Sequence, residues 1–150
     1  MLQTGLVSVT FRALPPRAII DLVAQSGLEA IEWGGDVHVP HGDIETARSV
    51  RRMTLDAGIK IPSYGSYYHV GYEEAGHFGA VLATAVALGA PVIRVWAGRQ
   101  GSDRADVSYW DRVVVDSRRI ADLAVGEGVR IAYEYHSHTL TDTNQSALRL

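Results

Sequence analysis

The chain has 150 residues, of which 47% are hydrophobic and 21% charged, so it is long enough for one hydrophobic core and too short for two. Its formal net charge of −3 removes the electrostatic basis for non-specific binding to nucleic acid or to an anionic membrane surface. Because it has no cysteine, it can form neither a disulfide nor a thiolate metal site.

The beginning of the chain and its apolar runs predict a cytoplasmic protein with a single domain over residues 1–150. Residues 1–11 lack the positive charges that open a secretory signal peptide. No apolar run approaches the roughly 20 residues that a membrane-spanning helix needs. We therefore expect a small-molecule partner, with no membrane and no nucleic acid bound.

Short runs rich in β-branched residues alternate along the chain with longer stretches of helical periodicity. The runs predict strands at residues 5–9, 28–33, 59–64, 91–96 and 129–135. Pro15 and Pro16 suit the first turn of a helix, and Asp43 can cap the next. The third helix is expected from about residue 73, and the fourth from about residue 106. The four helices are predicted to end at glycines, namely Gly27, Gly58, Gly89 and either Gly126 or Gly128.

This alternation predicts an α/β fold with a parallel sheet, either open or closed into a barrel. No glycine-rich phosphate loop follows the first strand, which disfavours a nucleotide-binding open sheet. Polar and aromatic residues also gather after the strands, at the face that carries chemistry in a barrel. A complete barrel needs about 250 residues. The sequence therefore predicts an incomplete parallel (β/α) barrel of TIM type, with about five of eight βα units.

Glu134 is the first candidate for chemistry, because an acid interrupts the apolar core of the last predicted strand near its carboxyl end. If Ala132 and Glu134 face the interior, the flanking Tyr133 and Tyr135 face the helices. A buried carboxylate needs a cation, a metal or a proton. Two interpretations stay open: an ion pair with an arginine such as Arg94, or a metal-binding carboxylate that also moves a proton next to a carbonyl.

Five further residues are candidates for substrate binding. His136 follows Glu134 at the end of the fifth strand, and Trp96 ends the fourth, where it can form one wall of a pocket. Trp33 and His38 flank the glycine pair after the second strand; of Glu32 and Trp33, we expect Trp33 to face the interior. Ser66 belongs to a segment rich in hydroxyl groups, 64–71, which is interpreted as a loop and suits a polyol or a phosphate.

At these strand ends the chain resembles the sugar phosphate isomerase/epimerase family of the xylose isomerase-like TIM-barrel superfamily, of which it covers the N-terminal part. The segments that carry the resemblance are EWGGDVH (32–38), SYGSYY (63–68), IRVWAG (93–98), YEYH (133–136) and TLTDT (139–143).

The resemblance implies an enediol-type proton transfer on a sugar, a sugar phosphate or a related polyol ketone. It also implies a divalent metal, commonly manganese, with magnesium, cobalt and zinc as alternatives. In the family the ligands are a glutamate on strand five and an aspartate, a histidine and a glutamate on later strands. Glu134 is the only counterpart within this chain, so it is expected to be both a metal ligand and one of two catalytic carboxylates.

Other functions compete with a metal-dependent isomerase or epimerase. The chain is also interpretable as a non-catalytic barrel fragment that binds a sugar-like ligand or assembles with another chain. Exposed barrel edges would then favour a homo-oligomer. A third interpretation is a truncated product without a function of its own. An abasic-site endonuclease-like phosphodiesterase ranks lower, because the chain is acidic.

Overall fold

The computed structural model describes residues 3–74 and 76–150, over which strands and helices alternate. The strands are β1 (Gly5–Val7), β2 (Ala30–Gly34), β3 (Tyr64–His69), β4 (Val92–Trp96) and β5 (Arg130–Tyr133). The helices are α1 (Pro16–Gln25), α2 (Ile44–Asp56), α3 (His77–Leu88), α4 (Val107–Gly126) and α5 (Asn144–Arg149), and a 3₁₀ helix (Ser8–Phe11) follows β1.

The five strands form one parallel sheet in the order β1-β2-β3-β4-β5. Because the order never reverses, right-handed crossovers bring successive helices to the same face of the sheet. We call the opposite face the interior face, as in a barrel. The prediction of an incomplete TIM-type parallel barrel is confirmed, with β1 and β5 as strands that pair on one side only.

The predicted helix boundaries follow local capping. The Asp43 carboxylate accepts a hydrogen bond from the Thr46 backbone N–H at 3.0 Å, and the Asp106 carboxylate accepts one from Tyr109 at 2.8 Å. The glycines that follow the first four helices all adopt positive φ, which needs no Cβ; they are Gly27, Gly58, Gly89 and Gly128.

The prediction for the third strand was wrong. Lys60 forms only an isolated bridge with Ala30, and regular pairing begins at Tyr64, opposite Trp33. Pro62 lies between them and has no N–H to donate to a neighbouring strand. The segment interpreted as a hydroxyl-rich loop is therefore β3 itself.

The core lies between the sheet and the helices, where Ile31, Ile93 and Val95 of the strands are fully buried. Helices α1 to α4 cover them with buried aliphatic and aromatic side chains. Among the described residues, no helix has the length and the apolar composition needed to cross a membrane.

Candidate active site

The interior face carries a polar cleft at the carboxyl ends of the strands. Arg94 and Trp96 stand two residues apart on β4, so their side chains share this face, and Glu134 follows β5 directly. The cleft has a volume of about 460 Å³ and is lined by eight residues, namely Val7, Val9, Glu32, Tyr67, Arg94, Trp96, Glu134 and His136.

Arg94 connects two carboxylates across the cleft. Its Nε donates to Glu32 Oε1 at 2.9 Å, and its Nη1 donates to Glu134 Oε2. The other oxygen of Glu32, Oε2, accepts from Ser63 Oγ at 2.6 Å. Of the two interpretations of Glu134 that the sequence left open, the structure contains the ion pair with Arg94.

The charge of Arg94 is stabilised by these partners. Burial disfavours the charged guanidinium, but the carboxylates of Glu32 and Glu134 outweigh burial, so the pKa of Arg94 is raised above its ordinary value. The exposed fractions of the side chains are 17% for Arg94, 13% for Glu32 and 33% for Glu134. Glu134 is therefore the member of this ion cluster that is most accessible to a ligand.

A glycine on β3 makes room for this ion cluster. Gly65 pairs with Arg94 in the sheet, and a Cβ built on Gly65 would lie 2.6 Å from Arg94 Nη2 and 3.0 Å from Glu32 Oε1. Real Cβ atoms do not approach other heavy atoms as closely as 2.6 Å. The missing side chain therefore lets the guanidinium of β4 cross β3 and reach the carboxylate of β2.

Trp96 forms the aromatic wall of the cleft. Its indole Nε1 donates to Glu134 Oε2 at 2.5 Å. The His136 ring lies against it, with ring centroids 4.4 Å apart and an interplanar angle of 34°. The structure thus brings together three of the residues predicted from sequence, Glu134, Trp96 and His136.

Two aromatic residues of β3 complete this wall, and neither was among the candidates predicted from the sequence. The Tyr67 ring lies 5.1 Å from Trp96, with the Arg94 guanidinium 5.4 Å from its centroid. His69 packs edge-on against Trp96 at 4.8 Å, and burial lowers the pKa of its ring. Tyr67 has a φ of 56° beside a shift in strand register, and neither feature is visible in the sequence.

The three other predicted substrate contacts lie outside the cleft. Trp33 is fully buried on the helix side, where its Nε1 donates to Thr54 Oγ1 of α2 at 3.2 Å. The expectation that Trp33 faces the interior is therefore wrong, and Glu32 occupies that face. Because the space between sheet and helices is apolar, it accommodates the indole better than the carboxylate.

His38 and Ser66 have structural partners instead of facing the cleft. His38 Nδ1 lies 2.9 Å from Ser8 Oγ and its Nε2 lies 3.2 Å from the Leu14 carbonyl, so both ring nitrogens are used. Ser66 is fully buried, and its Oγ donates to the Arg94 carbonyl at 2.8 Å. A role in substrate binding remains a prediction for Trp33, His38 and Ser66, and this conformation exposes none of them to the cleft.

A larger cavity of about 560 Å³ lies between the loops that follow β4 and β5, and His136 lines both it and the cleft. Asp103 and Asp142 both line this cavity, and Asp142 accepts hydrogen bonds from the Ser102 hydroxyl at 2.6 Å and the Ser102 N–H at 2.9 Å. These bonds lower the pKa of Asp142. Asp142 therefore links the two loops through both of its carboxylate oxygens. Since Asp142 is engaged in this way, Glu134 is the better candidate for a base.

The donor set does not fit a metal ion on its own. Over residues 3–74 and 76–150, no three His, Asp or Glu side chains are grouped so that they could hold one. Oε2 of Glu134 is engaged by Arg94 and Trp96. The divalent metal remains a prediction, and it requires ligands beyond those described.

Comparisons with known proteins address the fold. The model of a family described as xylose isomerase-like TIM barrel matches residues 20–150. No curated protein matches the sequence.

Several solved structures are similar to the chain. A probable 3-DHS dehydratase from Bacillus anthracis, involved in petrobactin synthesis, superimposes with a TM-score of 0.85 and 22% identity over 99% of this chain and 57% of that one. A protein from Sinorhizobium meliloti superimposes with a TM-score of 0.73 and 18% identity, over 97% of this chain and 57% of that one. A D-psicose 3-epimerase crystallised with D-fructose superimposes with a TM-score of 0.65 and 18% identity, over 87% of this chain and 51% of that one. These likenesses show the fold, and the chain spans little more than half of each.

Proposed function

The chain belongs to the xylose isomerase-like TIM-barrel family, and from that premise we propose that its cleft transfers a proton at a carbon next to a carbonyl group. The reaction would be an isomerisation or epimerisation of a sugar, a sugar phosphate or a related polyol ketone. The observation that carries the proposal is the carboxylate of Glu134, held by Arg94 and Trp96 at the opening of the cleft.

In this proposal Glu134 is the general base. Its Oε2 is engaged, which leaves Oε1 to accept the proton from the substrate carbon. The electrons of the broken C–H bond form a C=C bond, and the carbonyl oxygen becomes an enolate oxygen. The guanidinium of Arg94, in the same cleft, stabilises this negative charge.

The fate of the proton distinguishes the two reactions. Return to the neighbouring carbon, with a hydroxyl proton moving between the two oxygens, gives the isomer. Return to the same carbon from the opposite face gives the epimer. Glu134 can itself return the proton in the isomerisation, whereas the epimerisation also needs a second proton-transfer group, which is proposed to lie beyond the described residues, as is the rest of the metal site.

A second candidate, dehydration, is favoured by the charge of Arg94. Removal of the same proton followed by loss of hydroxide from the next carbon eliminates water, and His136 lies beside Trp96 where it can protonate the leaving oxygen. A guanidinium suits a substrate that carries a carboxylate. The similar structure from Bacillus anthracis is named as a dehydratase, but at 22% identity it adds no support beyond the fold.

Product analysis tests both candidates. We expect the folded chain, assayed with and without Mn²⁺, to isomerise or dehydrate at least one member of a panel of ketoses, ketose phosphates and 3-DHS. An aldose or an epimer, identified by NMR, supports the first candidate, whereas an unsaturated product that absorbs ultraviolet light supports the second. If circular dichroism shows that the chain is folded and every substrate of the panel stays unchanged, catalysis by this chain is contradicted. That result favours the interpretation as a non-catalytic barrel fragment. Association through the edges of β1 and β5 stays a prediction.

A further inference from the structure

Three hydrogen-bonded side chains, Ser63, Glu32 and Arg94, form a row that leads to Glu134. Of these, Glu32 has no part in the proposed reaction. Ser63 Oγ donates to Glu32, and Glu32 in turn accepts from Arg94 Nε at 2.9 Å. The same guanidinium then donates to Glu134. Glu32 is thus connected to the candidate base through one side chain.

We propose that Glu32 is a positioning residue, which fixes the Arg94 guanidinium and thereby holds the Glu134 carboxylate against the indole of Trp96. The inference rests on the proposed function in one respect, since it is Glu134 that is taken to be the base. The contacts themselves do not depend on which substrate is bound.

Glu32 and Glu134 differ in how far they are enclosed by the fold. Glu32 lies within β2, which pairs with β1 and β3, and its side chain is only 13% exposed. Glu134 lies just beyond the last strand, and its side chain is 33% exposed. Glu32 is therefore the more enclosed of the two carboxylates and can anchor Arg94, whereas Glu134 is the more exposed one.

Arg94 holds Glu134 in place only if it is itself anchored. An arginine side chain loses rotamer entropy when it is fixed, so it stays fixed only where its partners hold it. Without Glu32, its remaining contacts within the cleft are Glu134 and the Tyr67 ring, whose centroid is 5.4 Å away. The guanidinium would then be free to follow the more exposed carboxylate, Glu134, towards solvent.

Positioning and simple charge balance predict different effects for two substitutions. Glu32→Gln removes the negative charge but keeps an oxygen that can accept from Arg94 Nε. Glu32→Ala removes both the charge and the acceptor. If Glu32 only balanced charge, the two variants would behave alike; if it positions Arg94, glutamine rescues what alanine loses.

Two indole protons report the outcome by proton–nitrogen NMR of the folded chain without ligand. The Trp96 N–H donates to Glu134 and so reports the cleft, whereas the Trp33 N–H donates to Thr54 and reports the fold. We expect Glu32→Ala to move the Trp96 signal upfield, towards its position in Glu134→Ala. Glu32→Gln should leave it near its wild-type position, and the Trp33 signal should stay unchanged in both.

Ser63→Ala provides a second variant in case Glu32→Ala does not fold. It removes only the hydroxyl that holds Glu32, so it should move the Trp96 signal in the same direction by a smaller amount. A Trp96 signal that is unmoved in Glu32→Ala or Ser63→Ala, or equally moved in Glu32→Ala and Glu32→Gln, contradicts positioning. The expected shifts in a chain that converts no substrate would support positioning and contradict the proposed reaction, so the two can fail separately.

Discussion

Arg94→Met is expected to lower the free energy of unfolding by about 2–3 kcal/mol at neutral pH. The substitution leaves Glu32 and Glu134 facing the same cleft with no cation between them. Removing one partner of a fully buried ion pair costs about 3–5 kcal/mol. We reduce that value to the stated range because the three side chains remain 13%, 17% and 33% exposed. Urea denaturation followed by circular dichroism measures the difference.

Two controls separate this effect from the loss of any arginine. The variant Arg94→Met/Glu32→Gln/Glu134→Gln has no charge left in the cluster and should recover most of the lost stability. Arg17→Met removes an exposed pair with Asp21, whose side chains are 71% and 48% exposed, and should cost less than about 0.5 kcal/mol. An Arg94→Met variant no less stable than Arg17→Met would show that the cluster does not stabilise the fold.

Gly65→Ala is expected to displace Arg94 and to destabilise the chain by about 1 kcal/mol, the low end of the cost of overpacking, because the methyl group meets the ends of two flexible side chains. The new methyl group would lie 2.6 Å from Arg94 Nη2 and 3.0 Å from Glu32 Oε1, so the guanidinium must move. Both the midpoint of urea denaturation and the Trp96 indole signal should change.

Gly79→Ala is the matched control for Gly65→Ala. Gly79 lies within α3, and a Cβ there meets nothing within 4 Å. Alanine should stabilise the helix by about 0.5–1 kcal/mol, because glycine loses more backbone entropy on folding. Equal effects at the two glycines would mean that the space above Gly65 is not needed by Arg94.

The sequence predicted most of the fold because its signals are local. Strand and helix alternate with the hydrophobic period, and Asp43, Asp106 and the terminal glycines mark the helix boundaries through contacts within a few residues. The third strand was placed too early in the chain because the segment around Ile59 and Ile61 has the composition of a strand. The residues that actually pair, beginning at Tyr64, resemble a polar loop.

The candidate site was harder to predict because it depends on which face of the sheet each residue occupies. Alternation says that Glu32 and Trp33 lie on opposite faces, but not which of them faces the interior. The hydrogen bond from Trp33 to Thr54 depends on the packing of α2 against the sheet, because Thr54 lies 21 residues further along the chain. Once Glu32 faces inward, its pairing with Arg94 across Gly65 follows, and so does the position of Glu134.

The His136 and Trp96 assignments needed only the positions of strand ends, which the hydrophobic pattern gives. Tyr67 and His69 needed the irregular backbone of β3, where the register shifts between Gly65 and His69. Such a shift arises from tertiary packing and leaves no pattern in a single sequence.

If Glu134 is the base of the cleft, it exchanges a substrate proton with solvent, and this exchange can be followed directly. In D₂O, proton NMR follows deuterium entering the carbon next to the carbonyl of a ketose substrate, for the wild-type chain and for Glu134→Gln at equal concentration. We expect exchange by the wild-type chain and a rate lower by about 10²–10⁴-fold in the variant, the usual contribution of a positioned general base. Equal rates in two folded proteins would contradict this role of Glu134 and assign the proton transfer to another group.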